Sequence, residues 1–521
     1  MHSTPHRYNF STSSFLIESK VGVTLSSGGA DATVAMFVFG YNKATHDDGV
    51  PGPVQPGINI SNSQRVSILG AAIDYFPKSR ALFCNSRAAL APTGKVGLVH
   101  GNASVNEMLD NQRLWCGKKP SDKCGDFGSF PCPSAAACQE FCAGNASCVG
   151  ATWSHPPNPL CYMLSALDTT DSEPDFSSWS RVPVAYTSEP CPAVSGPGIT
   201  LHMFNSSDTL VEDLTIHAAP YMAITSFNGD GGHVLRRVSF VPNEEGQMFV
   251  AERDGVHESD VRRGITLEDS TIGYLNDDFM NVHSTMLVVL RCDSMEGGSS
   301  TSSCIVINPH VEGGSVLDTT YAMNSVLEGA RAGDTASFFP LLTSVTPKPD
   351  KLTPIVDRAV IQSVSRVSDA TVLLEASNFA MALFNNKSNG VMQFAGGGHY
   401  VDVWTMRFAS ALPAAIPNAS LVSVNELGSA GARFVRNNFT NTTCSARWKS
   451  SNAVIANNTW MNAGHNLEIT YLQSWLEGPA LISNISITGN SFHYGAGVNP
   501  IHPNPIDTND IVEEENQFLA K

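Results

Sequence analysis

The chain has 521 residues, 42% of them hydrophobic and 15% charged. That is more than one ordinary compact domain holds, yet an elongated solenoid reaches this length as a single unit. The net charge of −17, from 31 basic against 48 acidic residues with no Lys/Arg-rich run, excludes a phosphate-tracking nucleic-acid partner. No apolar run approaches the roughly 20 residues of a membrane span, and the abundance of Ser, Thr, Asn and Gly fits a β-rich solenoid better than a helical protein.

Residues 1–100 read as the first coils of that solenoid, with Ile58 to Pro77 as an early coil around Asp74. Residues 101–196 break the rhythm. Nine of the twelve cysteines lie between Cys84 and Cys191, leaving Cys292, Cys304 and Cys444 outside. Such a cluster predicts a disulfide module and an oxidising compartment. Eleven Asn-X-Ser/Thr sequons, Asn102, Asn145, Asn438, Asn441 and Asn484 among them, point the same way. Met1 to Lys20 carry no basic start followed by an apolar run, so the expectation is a secreted glycoprotein whose signal peptide is not visible in this chain.

From 197 to 317 short alternating segments recur. Val211-Glu-Asp-Leu-Thr-Ile216, Leu235-Arg-Arg-Val-Ser-Phe240 and Leu267-Glu-Asp-Ser-Thr-Ile272 place apolar residues at strand spacing and start 24 and then 32 residues apart. Residues 318–383 interrupt again, with β-rich alternation through Val360 to Leu374, and predict a small inserted β-subdomain. The coils are expected to resume over 384–521. There Phe434-Val-Arg-Asn-Asn-Phe439, Val454-Ile-Ala-Asn-Asn-Thr-Trp460 and Ile485-Ser-Ile-Thr-Gly-Asn-Ser-Phe492 repeat a strand, then Asn, then an aromatic. Recurring Asn at a strand end suits a stacked turn, and one repeat cannot bury its own apolar face. The pattern predicts an all-β, right-handed parallel β-helix, the pectin-lyase-like solenoid.

The chemistry concentrates in Arg253-Asp-Gly-Val-His257 and Asn276-Asp277-Asp278-Phe-Met-Asn-Val-His283. Asp254 and Asp277 lie 23 positions apart, close to one coil. Stacked coils sit about 4.8 Å apart, so these carboxylates can share one face. Neighbouring strand residues point to opposite faces, so Asp277 and Asp278 both reach a substrate only where the strand bends. Close carboxylates couple their titration and raise one member, which equips them for acid and base work. His257 and His283 are candidates to bind a sugar hydroxyl or orient a carboxylate. A second constellation, Arg447-Trp-Lys449 and Trp475-Leu-Glu477, offers cations for hydroxyl or carboxylate groups, a flat apolar face and a further carboxylate. Lys449 and Trp475 are separated by 26 residues, again about one coil. Neither a zinc spacing such as H-E-x-x-H nor an Asp-rich calcium loop is present, and no metal or cofactor is expected.

Two family resemblances follow from these residues. Cys138-Gln-Glu-Phe-Cys142-Ala-Gly-Asn-Ala-Ser-Cys148-Val-Gly-Ala-Thr-Trp153, then Cys161, resembles a PAN/Apple domain over roughly 60 to 75 residues, which implies a short helix, a following strand and a protein or carbohydrate ligand. Asp254-Gly-x-His257, Arg263-Gly264, Asp277-Asp278-x-x-Asn281-x-His283, Lys449-Ser-Ser-x-x-Val-Ile-x-Asn-Asn and Trp475-x-Glu477-Gly together resemble glycoside hydrolase family 110. That resemblance implies a β-helix enzyme with inverting exo-α-1,3-galactosidase action, and carries the catalytic carboxylates onto Asp254, Asp277 and Asp278 without assigning acid and base individually. His257, His283, Arg447, Lys449, Trp475 and Glu477 are the expected substrate-binding residues, and an oligo- or polysaccharide the expected partner. Two readings compete. Arg447 and Lys449 suit a polysaccharide lyase or polygalacturonase-like enzyme on acidic glycans. A non-catalytic glycan-binding β-helix would instead use its PAN-like module and scatter its carboxylates over the surface.

Overall fold

The computed structural model describes residues 15–26, 57–76 and 199–520, apart from internal segments of which the longest are 314–325, 342–352 and 386–397, together with backbone strands at 7–10 and 35–40 and within 108–180. Cys84, Trp475 and all the cysteines of 101–196 except Cys161 lie outside the described residues.

The architecture is a parallel β-solenoid. One sheet stacks Phe15–Glu18, Ile58–Ser61, Leu201–Phe204, Ile224–Phe227, Val256–Ser259, Met280–Thr285, Ala446–Trp448, Leu467–Ile469 and Ile501–Pro503, each parallel to the next. A second parallel sheet carries two short strands per coil, for example Thr266–Glu268 and Thr271–Leu275, then Arg433–Val435 and Asn438–Thr442. Between those paired strands stands one left-handed residue per coil: Gly70, Asp213, Arg237, Asp269, Arg436, Asn457, Gly489 and Glu515, with φ from 52° to 65°. Single non-glycine residues in this region cost on the order of 1–2 kcal/mol each. The bend repeats because these residues donate their N–H groups to the next coil, as Arg237 does to Glu268 (3.1 Å), Arg436 to Ala456 (3.0 Å) and Asn457 to Thr488 (2.9 Å).

In the C-terminal coils the residue after the bend builds an interior ladder. Asn437 donates to Asn458 Oδ1 (3.0 Å), Asn458 to Asn490 Oδ1 (3.0 Å) and Asn490 to Asn516 Oδ1 (3.0 Å), and the same oxygens accept the backbone N–H groups of the preceding coil. Asn is therefore used as expected for stacking, but the left-handed position belongs to the residue before it. The aromatic that follows points inward. Phe439, Trp460, Phe492 and Phe518 stack with centroids 4.1, 5.8 and 5.5 Å apart. Phe439 and Trp460 are wholly buried, each contributing on the order of 2–3 kcal/mol.

Two insertions leave the solenoid register intact. Ile58–Ser61 pairs directly with Leu201–Phe204, while between them a five-stranded antiparallel sheet forms from Met108–Trp115, Asp126–Pro131, Gly150–Ser154, Leu160–Leu164 and Thr169–Ser180. The second insertion is a closed antiparallel barrel of Leu287–Cys292, Ser303–Asn308, Thr335–Phe339, Val356–Arg366, Asp402–Phe408 and Leu421–Val424. It reaches well beyond 318–383, and the coils resume at Arg433 rather than at 384. Cys292 and Cys304, opposite each other on its first hairpin, are joined by a disulfide. Alternation does not run on to Leu374 either. Asp369 Oδ1 accepts from Thr371 N (2.8 Å), an N-cap that starts a helix over Ala370–Asn385. The barrel is fastened to the solenoid by Arg262, which grips Asp334 through two bonds of 2.9 and 2.6 Å.

Candidate active site

The strand Met280–Thr285 ends where the barrel begins, and the candidate site occupies its outward face. Register places Val256 beside Met280, His257 beside Asn281 and Ser259 beside His283. Gly255 N donates to Asp278 O (3.0 Å), which extends the ladder backward and sets Asp254 level with Asp278. The coil here is 24 residues long, so Arg253, not Asp254, is level with Asp277, and their side chains meet at 3.2 Å. Asp277 and Asp278 precede the first strand residue and share the bend. Gly255 makes the bend possible, since a Cβ there would stand 2.7 Å from Phe279 O and 2.9 Å from Leu275 Cδ1.

One carboxylate oxygen from each of Asp254, Asp277 and Asp278 lies within 4.8 Å of the other two. Asp254 and Asp278 are buried and Asp277 is half-buried. Burial raises the Asp254 carboxyl above its ordinary range against the pull of His257, and Asp277 and Glu477 push the same way. Burial also lifts Asp278 well above the usual carboxylate range, more than Arg447 draws it down. Three clustered carboxylates are also a donor set for a hard divalent cation. Here each already has a basic neighbour: His257 for Asp254 (2.6 Å), Arg253 for Asp277 (3.2 Å) and Arg447 for Asp278 (3.2 Å). Those neighbours supply the compensation a cation otherwise brings.

The two histidines are buried, at 3% and 4% exposure, and bond to protein rather than standing open to a ligand. His257 Nδ1 contacts Asp254 Oδ2 at 2.6 Å, His257 Nε2 contacts His283 Nε2 at 2.9 Å, and His283 Nδ1 contacts the Ser284 carbonyl at 3.1 Å. Burial lowers His283 to about 3, so it is neutral. Of the two roles expected for them, holding a carboxylate is what His257 does.

Lys449 is completely buried and gives Nζ to Asn281 Oδ1 (2.8 Å) and Glu477 Oε2 (2.9 Å), while Asn281 Nδ2 donates to Glu477 Oε1 (3.1 Å). Burial alone would raise Glu477, but Lys449, His283 and Arg447 outweigh it and hold the carboxyl well below its usual range. Arg447 lies between Asp278 and Glu468 (3.6 Å), and Asp278 first of all keeps its guanidinium above the ordinary arginine range. Glu477 does not arrive by coil stacking. It enters on a short strand antiparallel to Met280–Thr285, opposite Thr285. The coil after Ala446 closes in 21 residues, with Leu467; the expected step from Lys449 to Trp475 falls outside the described residues. The cluster adds Arg253, Asn281 and Glu468 to the expected set. Asn281 was visible as the Asn of Asp-Asp-x-x-Asn-x-His; Arg253 and Glu468 are found only through register.

No protein-family model and no curated protein matches this chain. Among solved structures, endo-xylogalacturonan hydrolase from Aspergillus tubingensis is similar at 10% identity and a TM-score of 0.33, covering 99% of this chain and 84% of its own. No helix among the described residues is long and apolar enough to cross a membrane.

Proposed function

We propose that this protein is a secreted glycoside hydrolase that releases α-galactosyl or related terminal sugars, with the Asp254–Asp277–Asp278 cluster as its acid and base. The observation that carries this is the convergence of the three carboxylates within 4.8 Å at one bend; a glycan-binding surface protein has no need to gather them. Asp254, raised by burial and bonded to an imidazole, donates the proton to the leaving oxygen. The Asp277–Asp278 pair serves the attacking side, with Asp277 the more exposed member and the one bound by Arg253. Arg447 and Lys449 are already engaged by Asp278 and by Glu477, which weighs against a uronate substrate that would compete for them. The PAN-like segment would act as a separate glycan- or protein-binding module, and the sequons and cysteines support secretion.

The family resemblance favours inversion, in which one carboxyl protonates the leaving oxygen while another activates the attacking water. The deciding experiment is hydrolysis of an aryl α-galactoside and an α-1,3-linked galactose disaccharide, followed by proton NMR of the first-formed anomer. Cleavage by the wild type, abolished in Asp254→Asn and Asp277→Asn with the fold intact, is the expected result. Absence of cleavage on both substrates sinks the galactosidase assignment.

A further inference from the structure

The contact series Asp254–His257–His283–Ser284 O has a proton count that its geometry dictates. A carbonyl oxygen only accepts, so the 3.1 Å contact from His283 Nδ1 to Ser284 O requires a proton on that nitrogen. His283 is neutral, so its Nε2 carries a lone pair. The 2.9 Å contact between the two Nε2 atoms then requires the proton on His257 Nε2. The 2.6 Å contact between His257 Nδ1 and Asp254 Oδ2 requires another. Asp254 and His257 together therefore hold two protons, either as carboxylic acid beside neutral imidazole or as carboxylate beside imidazolium. In both cases the pair is neutral overall.

We infer that His257 and His283 are positioning residues that keep a transferable proton on Asp254, His283 acting as a tautomer lock anchored by the Ser284 carbonyl. If the pair gives up its proton, His257 keeps one hydrogen. Directed at Asp254, it leaves two lone pairs facing each other across 2.9 Å. Relief requires His283 to move its own proton to Nε2 and abandon Ser284 O. Loss of the proton from the pair thus costs a buried hydrogen bond, and the His283 anchor offsets part of the pull by which His257 alone lowers Asp254. The charged groups facing it are Asp277 and Asp278 from the same bend, Asp260 from the adjoining strand end, Arg447 and Lys449 from the next coil, and Glu477 from the antiparallel strand. The acids push the same way as the histidine lock, and the two cations oppose it.

This inference rests on the proposed hydrolase for its catalytic meaning: the glycosidic C–O bond breaks as the Asp254 proton passes to the leaving oxygen, a new C–O bond forms from water, and the water proton passes to Asp277–Asp278. Its structural content is tested without activity. Nitrogen-15 NMR of histidine-labelled protein is expected to show Nε2 of His257 protonated throughout neutral pH, and Nδ1 of His283 protonated with Nε2 bare. An unprotonated His257 Nε2 near pH 7 overturns the inference whatever the enzyme hydrolyses. In the active enzyme, His283→Phe removes the acceptor and is expected to move the alkaline limb of kcat/KM down by about one pH unit, with His283→Gln, which still offers an acceptor, between it and the wild type. A His283→Phe enzyme that is slower but has an unmoved alkaline limb, with its fold intact by circular dichroism, also overturns it. If no glycoside is cleaved while the NMR pattern is as expected, the proposed function falls and the proton-holding series stands.

Discussion

Two bends of the same coils use stacking to opposite ends. At the second-sheet bend of the C-terminal coils, the same roles repeat: a left-handed residue, then Asn, then an aromatic stacked on the next. Asn437, Asn458, Asn490 and Asn516 pass hydrogen bonds down the stack. At the bend before Met280, stacking gathers three carboxylates that disfavour one another, and two of them are raised by burial. The first bend stores stability by repetition. The second concentrates unfavourable charge, the usual cost of a reactive site. The comparison teaches that register alone is neutral. The residue types fed into it decide whether a stack becomes scaffold or chemistry.

The widest separation between the bends is expected from Asp278→Asn. It should lower kcat/KM by about 1,000-fold, in the range of a lost acid or base group, with the far-UV circular dichroism unchanged; a lost β signal would make Asp278 a structural residue. Next comes Lys449→Met, which leaves Glu477 buried without its 2.9 Å partner and should cost about 3–5 kcal/mol in urea unfolding. On the scaffold bend, Asn458→Ala strands donors of Asn437 and the carbonyl of Phe434, an expected loss of about 2–3 kcal/mol. Arg436→Gln one coil away, on the exposed side, should leave the urea midpoint where it was despite the 2.7 Å pair with Asp269. Equal losses for Asn458 and Arg436 would break the distinction between an interior ladder and a solvated one.

A separate effect is one of pH. Glu258 lies between His257 and Ser259 but faces the solenoid interior, fully buried, and burial raises its carboxyl to about 8 against a bond from Ile265 N of 2.9 Å. The folded state holds a proton that the unfolded chain releases above the ordinary glutamate value of 4.5. The stability this supplies is complete below that value and is lost as pH rises through about 8. Glu258→Gln should flatten the decline of the thermal midpoint between about pH 4.5 and 8, the window bounded by the unfolded and folded titrations. An unchanged slope would place the decline elsewhere.

Much of the scaffold bend was legible, because its signal is local. Arg-Asn-Asn-Phe and Asn-Asn-Thr-Trp carry the bend, ladder and core residue within a few positions. The carboxylate cluster was legible too, since Asp254 and Asp277–Asp278 recur at nearly one coil. Pair assignments were not. A one-residue change in coil length moves Arg253 opposite Asp277 and Asp254 opposite Asp278, and composition holds no record of it. The helix at Ala370–Asn385 was hidden by its own opening, Thr371-Val-Leu-Leu374, whose apolar run reads as strand until the Asp369 cap is seen.

What the sequence by itself determined is therefore periodic and chemical: a parallel solenoid, its two interruptions, and the residues able to carry acid–base chemistry. Periodicity survives in one dimension because each coil repeats the same inward and outward demands. Only the tertiary structure decided that His257 and His283 hold Asp254 instead of standing open to a ligand, that Lys449 is wholly buried, and that Glu477 enters the site antiparallel to the coils. Those facts depend on chain brought in across the barrel insertion, from residues nearly 200 positions away in the case of Asn281 and Glu477. Local pattern contains no information about which distant segment will fill such a place; packing and the demand to satisfy buried charge select it.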